Sequence, residues 1–362
     1  MICRLTASAT LILVLLYSTP ALYAGSAEYM VTFDATWSQA THPLEFPVAN
    51  PHFSRLIGGV HNSNVVFWED AGIATDGIES MAETGGTNKL TDEVNAAIDA
   101  GHAYDVITGG NISPSPDSVS TTFEICSAFP LATLVSMIAP SPDWFVGVNS
   151  LPLRENDQWI DEVVVQLFPY DSGTDSGVTY NSSNANIAPH IPITQLGHPF
   201  EDDVDLGTFT FTLLSEALPG DLNDDNEVNE VDVDLLRDVI NGDNEQPACG
   251  DVNGDGVVNG DDFDHMIEEV LGTAYGDADF NRIVNFDDFV VISNHFNSTG
   301  TLWMEGNQNL DNNTNFEDFV LVSTNFGINL NDPSGSVPEP TSFLAMTVAA
   351  LPILSRRHSR RQ

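Results

Sequence analysis

Positive charge is what this sequence has least of. Ten Lys and Arg face 53 Asp and Glu over 362 residues, a formal net charge of −43. Arg4, Arg356, Arg357, Arg360 and Arg361 lie at the two ends, so Arg55, Lys89, Arg154, Arg237 and Arg282 serve everything between. Such a surface repels polyanions. Nucleic acid and anionic lipid are therefore excluded as partners, while divalent cations and basic surfaces are attracted. Cysteine is scarce too: Cys3 belongs to the leader described below, and Cys126 and Cys249 stand 123 positions apart. Two such residues imply neither a disulfide framework nor a thiolate metal site. No apolar run reaches the ~20 residues that span a bilayer comfortably. No His-Glu-x-x-His or Gly-x-Ser-x-Gly is present, the nine histidines are scattered, and no catalytic residue is assigned. The 42% hydrophobic content is that of a folded chain.

Both ends read as address labels. Residues 1–27 run from Arg4 through the apolar "LILVLLY" to the small residues of "ALYAGSA", the order of a secretory signal with a cut near Ala24 or Ala27. A linker at 331–336 leads to the tail at 337–362. There Val337-Pro338-Glu339-Pro340, a short apolar stretch from Phe343 to Leu354 and an Arg cluster follow one another. That order resembles the PEP-CTERM sorting tag of exported bacterial proteins. The resemblance implies an exosortase-type processing enzyme as partner, transient membrane anchoring, and delivery to the cell surface or extracellular matrix.

The acidic C-terminal half is a repeat. "GDLNDDNEVNEVD", "GDVNGDGVVNGDD", "GDADFNRIVNFDD" and "GNQNLDNNTNFED" start at Gly220, Gly250, Gly276 and Gly306, at intervals of 30, 26 and 30 residues. Positions 1, 3, 5, 9 and 12 after each glycine are all Asp or Asn. They are Asp221, Asn223, Asp225, Asn229 and Asp232 in the first copy, and Asp251, Asn253, Asp255, Asn259 and Asp262 in the second. The third has Asp277, Asp279, Asn281, Asn285 and Asp288, and the fourth Asn307, Asn309, Asp311, Asn315 and Asp318. This is the EF-hand ligand scheme for Ca2+, a hard ion that takes about six to eight oxygens. Position 8, expected to pair loop to loop, is Val228, Val258, Val284 and Thr314. An apolar stripe at i, i+3, i+7 follows each loop: Val233, Leu236, Ile240; Phe263, Met266, Val270; Phe289, Ile292, Phe296; Phe319, Val322, Phe326. That spacing predicts one short helix per loop. A solvated acidic turn has no reason to be followed by such a stripe.

Loop-then-helix units in tandem pairs, with Asp at the last ligand, resemble dockerin type I modules. The resemblance implies two small calcium-dependent helical modules, at 217–272 and 273–330, and a cohesin-like partner. Positions 10 and 11, where dockerins that bind cohesins often place Ser-Thr, are Glu230-Val231, Gly260-Asp261, Phe286-Asp287 and Phe316-Glu317. Position 6 needs positive φ. Gly256 supplies it freely, Asn226 and Asn312 tolerate it, and Arg282 is expected to be strained. Affinity is expected to fall from the second loop to the fourth, where Asn307 brings no charge.

Residues 28–216 alternate short apolar runs with Gly, Pro, Asn and Asp clusters, as an antiparallel sandwich or barrel does. "YMVTFDATW", "VVFW", "ATLVSMIA", "WFVGV", "EVVVQLF" and "GTFTFTLL" read as strands, and Asn88–Ala100 as the one helix. "SPDWFVGVNSLPL" followed by "LFPYDSGTDSG", behind "YMVTFDATWSQATHPLEFP", resembles the spondin N domain. The resemblance implies an eight-stranded β-sandwich and a Ca2+ held by Glu124, Asp143 and Asp171. Asp175 reads as a turn residue.

The fold class is therefore mainly β, a spondin-type antiparallel sandwich followed by small α-helical dockerin-like modules. The function expected is a non-enzymatic, calcium-binding surface or matrix protein that recognises an extracellular polysaccharide or surface protein. An exported polysaccharide-acting enzyme carried on dockerin modules, and a passive calcium-binding matrix component, are the alternatives.

Overall fold

The computed structural model describes residues 25–332, except 157, 202, 224, 243–248 and 256. Residues 1–24 of the 1–27 leader, the tail at 337–362, most of the linker before it and Gly256 lie outside the described residues. The described chain divides between Leu271 and Gly272 into two compact units.

The first unit opens with strands β1 (Ser26–Ala35), β2 (His52–Phe53) and β3 (Ile57–His61), then helices α1 (Asp76–Thr84) and α2 (Asn88–Asp99). Next come β4 (Ala103–Thr108), β5 (Ser118–Cys126), β6 (Leu131–Ala139) and β7 (Trp144–Pro152). A hairpin of β8 (Arg154–Glu155) and β9 (Gln158–Trp159) leads to β10 (Glu162–Gln166), β11 (Tyr170–Asp171), β12 (Thr194–Gln195) and β13 (Gly207–Glu216). Eight of these strands have five residues or more. They form a four-stranded sheet in the order β10-β13-β1-β5 and a seven-stranded sheet β12-β11-β7-β6-β3-β4, with β2 attached to β6. The eight-stranded mainly-β sandwich is thus present, with short edge strands added.

Burial explains which strand carries which pattern. β1 alternates, with Tyr29, Val31 and Phe33 fully buried and their neighbours more exposed, because only one of its faces meets the core. β6 is buried at every position after Leu131 because it is covered twice. Phe33, Phe53, Phe209 and Phe211 fill the space between the sheets. Ile78, Met81, Leu90 and Val94 of the two helices cover Val135 and Phe145 from outside. Each large apolar side chain so buried contributes about 1.5–3 kcal/mol. β3 and β6 approach so closely that a Cβ on Gly58 would stand 1.8 Å from the Thr133 carbonyl oxygen.

Two expectations are corrected. "VVFW", residues 65–68, is not a strand. Phe67 and Trp68 pack instead into the helix-side cluster, where Trp68 Nε1 donates to the Val148 carbonyl at 3.2 Å. Helix α1 was not anticipated. Thr75 caps it by accepting from Ile78 N at 3.2 Å, and Glu93 of α2 accepts from Thr75 Oγ1 and Gly77 N, both at 2.7 Å.

The repeats form α3 (Glu230–Asn241), α4 (Gly260–His265), α5 (Phe286–His295) and α6 (Phe316–Asn325). α4 continues into a π-helical turn, Met266–Val270. The first two helices belong to the sandwich's unit and bury Val233, Leu236, Phe263 and Met266. The second unit packs Val284, Ile292 and Val322 together, flanked by Phe289 and Phe319. The last stripe positions depart from expectation: Phe296 and Phe326 are 45% and 57% exposed. Both are helix C-caps with extended backbone, so the chain turns outward there. Among the described residues no helix is long and apolar enough to cross a membrane.

Candidate metal centres

From position 3 onward the four loops share one hydrogen-bond plan, and in two of them position 1 adds to it. In the first, Asp221 accepts from Asp225 N and Asn226 N at 3.2 and 2.9 Å. In the third, Asp277 accepts from Asn281 N and Arg282 N at 3.1 and 2.7 Å. Position 3 accepts from the position 5 amide through Asn223, Asn253, Asp279 and Asn309, at 2.9–3.2 Å. Position 5 accepts from the position 7 amide through Asp225, Asp255, Asn281 and Asp311, each at 2.8 or 2.9 Å. The backbone is thereby wound around one point. The cost falls at position 6, where φ is +65° at Asn226, +67° at Arg282 and +60° at Asn312.

Position 12 closes each loop. Asp232, Asp262, Asp288 and Asp318 are fully buried. One oxygen accepts from the loop's second or third residue: Leu222, Asn253, Ala278 and Gln308, at 2.8–3.1 Å. The other accepts from the position 9 amide of Asn229, Asn259, Asn285 and Asn315, at 2.8–2.9 Å. Position 9 is in turn the helix N-cap, its side-chain oxygen accepting from the position 11 amide at 2.7–2.9 Å in all four copies. Loop and helix thus share one reciprocal capping box. Burial raises the pKa of all four position 12 carboxyls.

In the second unit position 8 pairs not with the other loop but beyond the other helix. Val284 exchanges hydrogen bonds with Gly327 and Ile328, beyond α6. Thr314 lies in β15 (Asn313–Thr314) and pairs with β14 (Ser298–Thr299), beyond α5. In the second unit each loop therefore clasps the exit of the other repeat's helix. The leading glycine makes room for this contact: a Cβ on Gly306 would stand 2.8 Å from Ile292 Cγ1.

The donor set fits a hard cation. In the third loop single oxygens of Asp277, Asp279 and Asp288 lie within 4.8 Å of one another. In the fourth, Asn307 Oδ1 is buried without a hydrogen-bond partner, while its Nδ2 donates to the Thr301 carbonyl at 2.9 Å. Each position 12 oxygen carries one N–H and keeps a second lone pair.

In the sandwich, Asp143 and Asp171 come together. Asp171 is paired with Trp144, the residue after Asp143. Asp143 Oδ2 accepts from Ser172 Oγ, Thr174 N and Asp175 N at 2.9–3.0 Å, whereas its Oδ1 is buried and unpartnered. Burial, with the nearby Asp143 and Asp175 charges, pushes Asp171 up to about 6. Glu83 of α1 faces the same acids, its pKa raised by burial, and its Oε1 is buried without a partner. Glu124 is not with them. It sits in β5 opposite Glu28, two residues before the strand ends at Cys126. β6 begins five residues beyond Cys126 and runs its nine residues away before Asp143 is reached. Asp143 follows the far end of that strand, so the length of β6 separates the two acids. Glu124 instead lines a cavity of about 290 Å³ with Glu28, Glu216 and Asp221. No motif in the sequence marks Glu83, and Asp175 does more than close a turn. Asp175 does close a turn, accepting from Gly177 N at 2.7 Å, but it also faces Asp171.

An antiparallel sandwich with an acidic rim, followed by glycine-led oxygen loops that each cap a helix, defines a β-sandwich protein with EF-hand-type modules. The family model Spondin_N matches residues 27–209, and that of the dockerin type I domain matches 219–271. Spondin-1 of Gallus gallus and of Homo sapiens are each 37% identical over 186 residues, covering 48% of this chain and 23% of theirs. Spondin-2 of Homo sapiens is 35% identical over 173 residues, covering 47% of this chain and 52% of its own. The chain thus spans about a quarter of the length of the Spondin-1 relatives and about half that of Spondin-2. It belongs to the spondin N family and carries a dockerin type I module. Dockerin type I domains are EF-hand-like calcium-binding modules, and calcium is the ion of this one.

Proposed function

We propose that the protein is an exported, calcium-stabilised recognition protein with no catalytic role. Its sandwich, residues 28–216, is the recognition module for an extracellular polysaccharide or surface protein. Its repeat pairs, 217–272 and 273–330, form a docking arm. The spondin N family membership and the dockerin match together support this reading. The tail at 337–362 is read by an exosortase-type enzyme and directs the chain to the cell surface or matrix.

Calcium is held in each loop by the oxygens of positions 1, 3, 5 and 12 and the position 7 carbonyl. Position 9 acts through a water, since its own oxygen caps the helix. At the sandwich rim Asp143 and Asp171 hold the ion, with Asp175 and Glu83 beside them. The observation that carries the metal assignment is the convergence of Asp277, Asp279 and Asp288 oxygens within 4.8 Å. The ion supplies the positive charge that lets these acids share one point.

The arm's docking face is aromatic. Phe286 and Phe316, at position 10 of successive repeats, are 63% and 64% exposed, each stacked on the next phenylalanine of its helix, Phe289 or Phe319. Clefts of about 380 and 340 Å³ flank Phe289 and Phe319. A cohesin-like partner with an apolar, basic-rimmed surface suits this face and the chain's charge. The test is capture from native extracellular matrix by the full chain, with calcium and with EGTA. Ligand capture only with calcium supports the reading. Equal capture in both, or none, argues against it.

A further inference from the structure

The structure brings together the two cysteines that the sequence keeps apart. Ser127, directly after Cys126, donates through Oγ to the Asp251 carbonyl at 3.2 Å, and Asp251 is two residues after Cys249. Ser127 N also donates to the Gly25 carbonyl at 2.8 Å, and a Cβ built on Gly25 would lie 4.0 Å from Cys249 Cβ. Cys126 is fully buried in the sandwich core, and Cys249 packs against that same cluster. Both belong to the first unit, and both are thiols in this structure. Tyr104 packs there too, and its hydroxyl pKa is raised by burial first and then by Cys249 and Cys126.

We propose that Cys126 and Cys249 form a disulfide that ties the first loop pair to the sandwich. The bridge needs Cα atoms roughly 4.4–6.8 Å apart. The Ser127–Asp251 and Gly25–Cys249 contacts lay the two segments side by side, and closing the bridge draws the two sulfurs together. The order of reaction follows from exposure. Cys249 is the half-buried cysteine and Cys126 the fully buried one. The Cys249 thiolate attacks one sulfur of an external disulfide, either a low-molecular-weight disulfide or an oxidised thiol oxidoreductase, and expels one thiol. The Cys126 thiol gives its proton to solvent and attacks Cys249 Sγ, expelling the second. Two cysteine thiols are oxidised and one external disulfide is reduced to two thiols. The buried position of Cys126 favours this intramolecular second step over bridges between chains. The closed loop of 123 residues constrains the unfolded chain, so oxidation raises the first unit's unfolding midpoint. Calcium withdrawal would then loosen the loops without detaching them.

The test is incubation of the purified full chain in an oxidised–reduced glutathione buffer, followed by alkylation in denaturant and non-reducing peptide mass analysis. The expected result is loss of both free thiols and one linked Cys126–Cys249 peptide pair, lighter by two hydrogens, that dithiothreitol separates. Cys249→Ser, at the half-buried position, should leave Cys126 alkylatable and abolish the oxidation-dependent rise in midpoint. Two alkylated thiols in the wild-type chain, a lasting glutathione adduct on Cys249, or Cys249–Cys249 dimers would each overturn the proposal.

Discussion

The carboxyl of Asp171 is half-buried beside that of Asp143, and this burial with the neighbouring charge raises its pKa to about 6. The ordinary value is 3.8. Without calcium, both folded and unfolded chains hold this proton below pH 3.8. Between 3.8 and about 6 the folded state binds more protons, so this group's contribution to stability falls as pH rises through that window. Calcium reverses the sign by favouring the ionised form. Affinity at the rim should therefore drop by up to about tenfold per pH unit below 6 and level off above it. Calorimetric titration at several pH values, with proton release measured in two buffers, checks this.

Much of this was legible in the sequence, for identifiable reasons. The loops were readable because a ligand scheme and an apolar stripe recur in register four times, and the helices follow from that stripe. The sandwich strands were readable from alternation, as in β1, or from a doubly buried run, as in β6. What was hidden is non-local. Helix α1 depends on Glu93 of the next helix to finish its cap. Phe67 and Trp68 of "VVFW" are apolar because they pack into the helix-side cluster, not because they form a strand. The distance from Glu124 to Asp143 depends on the direction of β6, which no spacing rule reports. The double duty of Asn and Asp at positions 9 and 12 is a packing fact, although Asn-x-x-Asp before an apolar run is a capping signature that could have announced it.

Asp318→Ala removes the two acceptors that hold Gln308 N and Asn315 N. It should destabilise the calcium-loaded second unit by at least about 1–3 kcal/mol, because those amides lose their partner. Urea unfolding followed by tryptophan fluorescence, with Trp303 as the unit's buried probe, measures it.

Arg282→Gly should strengthen the third loop. The arginine holds a left-handed backbone at φ +67°, a conformation that costs a side-chain-bearing residue about 1–2 kcal/mol and glycine little. The substitution also gives up the Arg282 Nε bond to the Gly272 carbonyl at 2.9 Å, so a gain of up to about tenfold in affinity is the ceiling. Competition with a chromophoric chelator reads the change.

Phe286→Ala with Phe316→Ala should leave the second unit's unfolding midpoint nearly unchanged, since both rings are largely exposed. Partner capture through the arm should be lost. A fall in midpoint comparable to that of a core truncation, with capture intact, would show that the rings serve the fold instead.

The account rests on acids that repel each other until a divalent ion sits among them. Far-ultraviolet circular dichroism of the full chain, titrated with calcium and then with excess EGTA, tests this most directly. The predicted result is a helical signal from α3 to α6 that grows on calcium addition and collapses on chelation. Superimposable spectra at every calcium concentration would contradict it.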